Sequence, residues 1–273
     1  MDFSDINRNG LVMLGCGKMG TAMLQGWLVA GMQPTAISVI DPNPSEWLKT
    51  QSRLGLTINE AIPPKPAVIV LAVKPQVMFD ALPQLDGVGG QGTLFISIAG
   101  GIQIAAFERA LGAEKAIMRA MPNTPAAIGK GVSALIGNDN VTEAHMKLGE
   151  GLLGAIGQTV RLENEGQIDA VTAVSGSGPA YVFHMIETMT VAGIAEGLPE
   201  PLAHQLALAT VEGAGALAAQ SDESPSQLRV NVTSPNGTTQ AGLEVLMDDD
   251  TGLPPLMNAT IKAAADRSRE LGK

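Results

Sequence analysis

Three glycines in LGCGKMG, at positions 15, 17 and 20, follow an apolar run and open a helical pattern. The spacing is GxGxxG, in the strand-to-helix setting that gives the motif its meaning. There Gly15 permits a tight turn, Gly17 lets a pyrophosphate approach the backbone, and Gly20 lets the helix lie close on the strand. The unpaired N–H groups of the helix start then receive the phosphates. Cys16, at a variable position of the loop, reads as a small residue beneath the cofactor and not as a reactive thiol.

Asp41 closes the next β-rich run, 21 residues beyond Gly20. A carboxylate there binds both hydroxyls of an adenosine ribose and repels a 2′-phosphate, which favours NAD. Asn43, Ser45 and Lys49 follow closely and would receive such a phosphate if Asp41 turned away, so NAD and NADP both stay open. AVKP (72–75) and AGG (99–101) end two further runs. Ligands of open α/β sheets cross the carboxyl ends of the strands, so these segments are where the nicotinamide half passes; turn formation alone also accounts for Gly100 and Gly101.

A second candidate lies in TSPNGTTQAGLEVL, residues 233–246. Pro-Asn-Gly is turn chemistry, and the two threonines fall where a helix starts, ahead of Ala241, Val245 and Leu246 at helical spacing. Such a start is either a plain turn with an N-cap or an anion site built from free amides.

These residues need a frame. Short β-rich runs, LVMLG (11–15), AISVID (36–41), AVIVLAV (67–73), TLFISIA (93–99), AIMRAM (116–121), VSALIG (132–137) and QTVRLE (158–163), alternate with helical stretches. Several runs are continuously apolar, as parallel strands covered on both faces are, and the rhythm predicts a doubly wound parallel sheet. Beyond Gln167 no β-rich run remains. One helix is predicted from Pro179, a residue suited to a first turn, and a second from about Pro201 to Gln220. Both are apolar or small nearly all round and need burial on several sides. The expectation is packing against a second subunit; the alternative is a compact monomeric cap.

The totals restrict the partners. The chain has 273 residues, 45% hydrophobic but only 3% aromatic, with 32 glycines and 13 methionines, and a mean hydropathy of +0.18. A formal net charge of −10 argues against nucleic acid and against an anionic membrane surface, while local amides can still hold a small anion. A single cysteine forms no intrachain disulfide or thiolate cluster. His145, His184 and His204 stand apart; His184 and Glu187 share a helix face, which reads as structural, and no metal is expected. The first residues, MDFSDINRNG, show no signal-peptide pattern, and the expected location is the cytoplasm.

LGCGKMG, LAVKPQ, MPNTPAAIGKG, DAVTAVSGSGPAYVF and, most specifically, QLRVNVTSPNGTTQAGLEVL together resemble the pyrroline-5-carboxylate reductase family over nearly the whole chain. The resemblance implies an α/β Rossmann domain over 1–164 and an all-α dimerisation and substrate-binding domain over 165–273, in a homodimer or higher homo-oligomer with the active site between subunits. It implies reduction of Δ1-pyrroline-5-carboxylate to L-proline, with NADPH as cofactor and NADH as a second candidate. Carried over residue by residue, Gly15, Cys16, Gly17, Lys18, Met19 and Gly20 hold the pyrophosphate. Asn59, Ala72, Val73, Lys74, Pro75 and Asn231 contact the cofactor; Asp41 at the ribose and Ala99 and Gly100 along the nicotinamide path rest on the strand-end reading above. The backbone of Thr238 and the hydroxyl of Thr239 receive the substrate, and Ser234 and Glu165 match weaker positions nearby. Where the family turn commonly reads Ser-Pro-Gly-Gly, this chain has Ser-Pro-Asn-Gly; Asn tolerates a left-handed backbone, so the turn is expected to survive.

No histidine, lysine or carboxylate in a shared motif stands out as an obligate acid. Two other readings stay open: a reductase or dehydrogenase acting on another imine or on a 2-oxo or 3-hydroxy acid, and a non-catalytic NAD(P)-binding protein. A 3-hydroxyacid dehydrogenase is expected to carry a lysine on the helix that starts at Pro179, and that helix has none.

Overall fold

A computed structural model describes residues 3–272. The chain divides into two compact units, residues 3–176 together with 265–272, and residues 177–264.

In the first unit, helix α1 (Ser4–Asn9) precedes strand β1 (Leu11–Leu14), followed by α2 (Lys18–Val29), β2 (Ile37–Ile40), α3 (Glu46–Ser52), β3 (Thr57–Ile58) and β4 (Val68–Leu71). Then come α4 (Met78–Ala81), β5 (Leu94–Ser97), α5 (Ile104–Leu111), β6 (Ala116–Met121), β7 (Gly131–Gly137), α6 (Glu143–Gly154), β8 (Gly157–Arg161) and α7 (Gln167–Val171). The strands form one sheet in the order β3-β2-β1-β4-β5-β6-β7-β8. Helices on both faces cover the central strands, so every residue of β1, β4 and β5 is buried. Trp27 of α2 is fully buried, and its indole N–H donates to the Leu152 carbonyl at 2.8 Å.

Two features depart from an all-parallel sheet of predicted strands. β6 and β7 pair antiparallel: the link between them, residues 122–130, is too short for a parallel crossover. β3 is two residues long and pairs with β2, below the length at which a sequence period is visible. Residues 165–176 also pack with this unit: Ile168 and Ala173 are buried, the Asn123 amide donates to the Ser175 carbonyl, and the Ser268 hydroxyl donates to Asp169. The compact units therefore meet after Gly176, twelve residues beyond the expected 164/165 division.

The second unit is helical: α8 (Gly178–Ala195), α9 (Glu200–Gln220), α10 (Pro225–Asn231), α11 (Thr238–Leu246) and the start of α12 (Leu253–Leu271). Pro179 lies in the first turn of α8, and α9 runs to Gln220, as expected. The two helices form a hairpin in which Gly193 lets the backbone of α8 approach Ala203 of α9. Ala203 and Ala207 are the buried residues of α9, and α8 buries none. Among the described residues no helix is long and apolar enough to cross a membrane.

Candidate active site

The sheet order reverses at β1, which lies between β2 and β4; a crevice at such a point binds ligands in open α/β sheets. The LGCGKMG loop leaves β1 there. Gly15 has φ +84°, and a Cβ on it would lie 2.6 Å from Val73, so only glycine brings the loop this close to the exit of β4. A Cβ on Gly20 would lie 3.2 Å from the Met13 sulfur, the close approach of helix to strand. Gly17 is the N-cap of α2, with open space where its Cβ would be. No side chain caps α2 and its first turn holds no acidic residue. Amides, a helix start and room above the backbone together fit a pyrophosphate. Lys18 is exposed and Met19 half-buried beside them.

Asp41 follows β2 and turns toward this loop. Its carboxylate accepts the Cys16 N–H at 2.6 Å and the Asn43 N–H at 2.8 Å. Asn59, in left-handed backbone (φ 55°), locks the Asp41 main chain, accepting its N–H at 2.9 Å and donating to its carbonyl at 2.7 Å. Sequence spacing places Asp41 and Asn59 near a nucleotide but gives no sign that they brace each other and the loop. Cys16 is 6% exposed, with its sulfur 3.7 Å from the Thr21 hydroxyl. Burial pushes its thiol up to about 11; the Thr21 hydrogen bond opposes the shift and the Asp41 charge adds to it. A thiol held neutral in this way is a poor nucleophile and suits a small residue under a ligand.

Two cavities flank the switch point. One of about 480 Å³ is lined by Ile40, Pro42, Asn59, Glu60, Ile62 and Gln84, beyond β2 and β3. The other, of about 720 Å³, is lined by Pro75, Phe79, Gly100, Gly101, Gln103 and Arg109, beyond β4 and β5. Ala72 leaves β4 with its N–H on the Leu14 carbonyl. Ala72, Val73 and Pro75 are half-buried and Lys74 is exposed; Ala99 is buried and Gly100 half-buried at the exit of β5.

Glu165 is committed to structure. Its carboxylate accepts the Ile104 N–H at 2.8 Å, capping α5, and pairs with the buried Arg119 of β6. It thus fixes the end of the 99–103 turn. Asn123 plays a similar part, accepting the Val132 N–H while donating to Ser175. Neither Arg119 nor Asn123 stands out in sequence, although both lie in AIMRAMPNTP; only the folded chain brings them to Glu165 and Ser175.

In the second unit the 233–239 turn closes through Gly237 N–H to the Ser234 carbonyl at 3.0 Å. Asn236 occupies left-handed backbone (φ 58°), and its N–H is held by the Gln240 side chain at 2.7 Å. The unusual asparagine of this turn is thus accommodated. α11 begins at Thr238 after Gly237, without a side-chain cap. Ser234, Thr238 and Thr239 are exposed and sit on one turn. Asn231 ends α10, held between Gln227 and Glu223. The His184–Glu187 pair lies on α8 with 3.0 Å between Nδ1 and Oε2.

The sequence and the fold both have known counterparts. The family model for pyrroline-5-carboxylate reductase dimerisation matches residues 165–271, and the model described as NADP oxidoreductase coenzyme F420-dependent matches residues 11–101. A pyrroline-5-carboxylate reductase of Pseudomonas aeruginosa is 37% identical over 96% of this chain and 97% of its own. Among solved structures, a pyrroline-5-carboxylate reductase from Coxiella burnetii superposes with a TM-score of 0.90 at 31% identity, covering 97% of this chain and 99% of its own. The pyrroline carboxylate reductase of Plasmodium falciparum, with NADP bound, gives 0.82 at 29% identity over 98% and 99%. With relatives matched over almost their full length and both family models falling on it, the chain belongs to the pyrroline-5-carboxylate reductase family.

Proposed function

We propose that this protein reduces Δ1-pyrroline-5-carboxylate to L-proline, the last step of proline biosynthesis, with NADPH and, as a second reductant, NADH. The observation that carries the reading is family membership over both halves of the chain. The open amides at Gly17 and at the start of α11 support it, because the reaction brings together two anionic molecules.

In this reading residues 1–164 bind the dinucleotide and 165–273 bind substrate and dimerise. Gly15 to Gly20 hold the pyrophosphate, Asp41 and Asn59 the adenosine side. Ala72 to Pro75, Ala99 and Gly100 line the path of the nicotinamide half, and Asn231 contributes a further contact. The reduced nicotinamide, when bound, supplies a hydride. The imine carbon receives it as the C=N bond becomes C–N, and the ring nitrogen carries a proton. A protonated imine accepts negative charge directly, so the protein's task is orientation, worth about 7–11 kcal/mol. The Thr238 N–H and the Thr239 hydroxyl hold the substrate, with the Thr239 oxygen accepting the N–H of the protonated ring nitrogen and Ser234 completing the turn. Glu165 acts by positioning the 99–103 turn.

The apolar faces of α8 and α9 support a homodimer, or a higher oligomer built from dimers, with the active site between subunits; the proposed setting is the cytoplasm. The test is the absorbance of reduced nicotinamide on adding pyrroline-5-carboxylate, with NADPH and NADH in parallel. Oxidation stoichiometric with proline formed is expected. Cofactor binding without oxidation would leave a non-catalytic binding protein.

A further inference from the structure

The 99–103 turn at the exit of β5 carries Gly100 and Gly101 side by side, and two adjacent glycines leave a backbone free to change shape. Three distant segments supply the restraint that these residues lack. At the entry, the buried Ser97 hydroxyl accepts the Ala99 N–H at 3.3 Å. In the middle, Gly101 (φ +81°) meets the last turn of α12: a Cβ on it would lie 3.1 Å from the Leu271 carbonyl oxygen. At the exit, Glu165 accepts the Ile104 N–H and is itself paired with Arg119, which stands opposite Ser97 in the β5–β6 register. The end of α12 is secured in turn by Ser268, whose hydroxyl donates to Asp169 at 2.6 Å. Glu165 and Asp169 fall within one short stretch of chain, so both supports share an anchor. Arg119 and Ser268 are buried and act only through the residues they hold.

We propose that Arg119 and Ser268 are positioning residues for hydride transfer: by separate routes they hold the 99–103 turn in one shape, and with it the angle of the nicotinamide ring. The inference rests on the nicotinamide path proposed above. A division within the dinucleotide follows. The pyrophosphate and the adenosine side rest on the LGCGKMG loop, Asp41 and Asn59, and the nicotinamide ring alone depends on the clamped turn. Orientation supplies much of the rate, and a misplacement of about 1 Å from a change remote from the chemistry costs roughly 100-fold.

The test compares NADP+ with ADP-ribose 2′-phosphate, which is NADP+ without its nicotinamide ring, by calorimetric titration of the intact oligomer, alongside kcat with NADPH. In Arg119→Met and in Ser268→Ala, kcat is expected to fall roughly 10- to 100-fold, while the Kd of ADP-ribose 2′-phosphate stays unchanged. The affinity that the ring adds, read as the ratio of the two Kd values, should shrink toward one. Arg119→Lys, which restores a cation for Glu165, should recover most of the lost kcat. Equal loss of affinity for both ligands would reduce the two residues to general supports of the fold, and unchanged kcat in both variants would show that the turn needs no clamp; either result overturns the proposal. Ser268→Ala leaves the Arg119–Glu165 pair intact and decides the matter if Arg119→Met folds poorly. If the unaltered protein bound neither ligand, the dinucleotide site itself would be refuted. If it bound both but reduced no pyrroline-5-carboxylate, the proposed reaction would fail, and the ratio of Kd values would still test the clamp.

Discussion

The two compact units bury their apolar residues to very different degrees. In the first, the central strands and Trp27 are sealed, with almost no accessible surface on β1, β4 and β5. In the second, α8 buries no residue, and Phe183 and Val191 are 59% and 66% exposed, with Ile194, Leu202, Leu206 and Leu217 also uncovered. Side chains of this kind contribute stability only when removed from water, at about 25 cal/mol per Å². The first unit completes its core with its own residues. The second carries apolar surface that calls for a second copy, in keeping with the family's dimerisation domain. The glycine loop lies wholly in the self-sufficient part, and the threonine turn in the part that leaves its apolar helices uncovered.

That contrast can be broken by perturbing each unit separately. The largest effect is expected from Phe183→Asp, which sets a charge on the apolar face of α8. An unpaired charge in an interface costs about 3–5 kcal/mol. Light scattering should report dissociation, with loss of reductase activity, while dinucleotide binding to the first unit persists. Unaltered oligomer size would place the interface elsewhere.

Next comes Thr239→Ala. Removing a hydrogen bond to a charged group costs about 1.5–3 kcal/mol, or roughly 10- to 100-fold. That loss is expected in kcat/KM for pyrroline-5-carboxylate, at unchanged Kd for the dinucleotide, with Thr239→Ser restoring most of it. Near-normal reduction by the alanine variant would remove Thr239 from the site. In the first unit, Trp27→Phe leaves the Leu152 carbonyl without its indole donor. Urea denaturation should show a loss of about 1–3 kcal/mol, with oligomeric state unchanged.

The smallest effect concerns Cys16. Its thiol is pushed up from 9.0 to about 11 in the folded protein. Below pH 9 both folded and unfolded forms are protonated and no stability difference arises from this group. Between pH 9 and 11 the unfolded thiol ionises first, so stability falls with rising pH across that window. Cys16→Ser should flatten this part of the profile, and the native thiol should alkylate slowly at neutral pH. Rapid alkylation at neutral pH would show a more accessible loop.

Much of this was legible in the sequence where local chemistry decides the structure. The glycine loop, the apolar strands, Pro179 at the start of α8 and the Asn236 turn each follow from residue type and spacing. What stayed hidden depends on non-local pairing. The antiparallel β6–β7 step follows from a nine-residue link, β3 is too short to show a period, and the Glu165–Arg119 pair joins residues 46 apart. The orientation of Asp41 belongs here too: spacing places a carboxylate after β2, but only the Cys16 and Asn43 amides decide which way it points.

In the proposed complex a carboxylate-bearing ring is gripped by the amides that open α11 and presented to a dinucleotide lying on the LGCGKMG loop. A crystal structure of the oligomer with NADP+ and L-proline would decide whether this arrangement forms. Proline's carboxylate is expected on the Thr238 N–H and its ring nitrogen at the Thr239 hydroxyl, with its ring carbon facing the nicotinamide. Proline bound elsewhere, with that turn facing away from the nicotinamide, would contradict it.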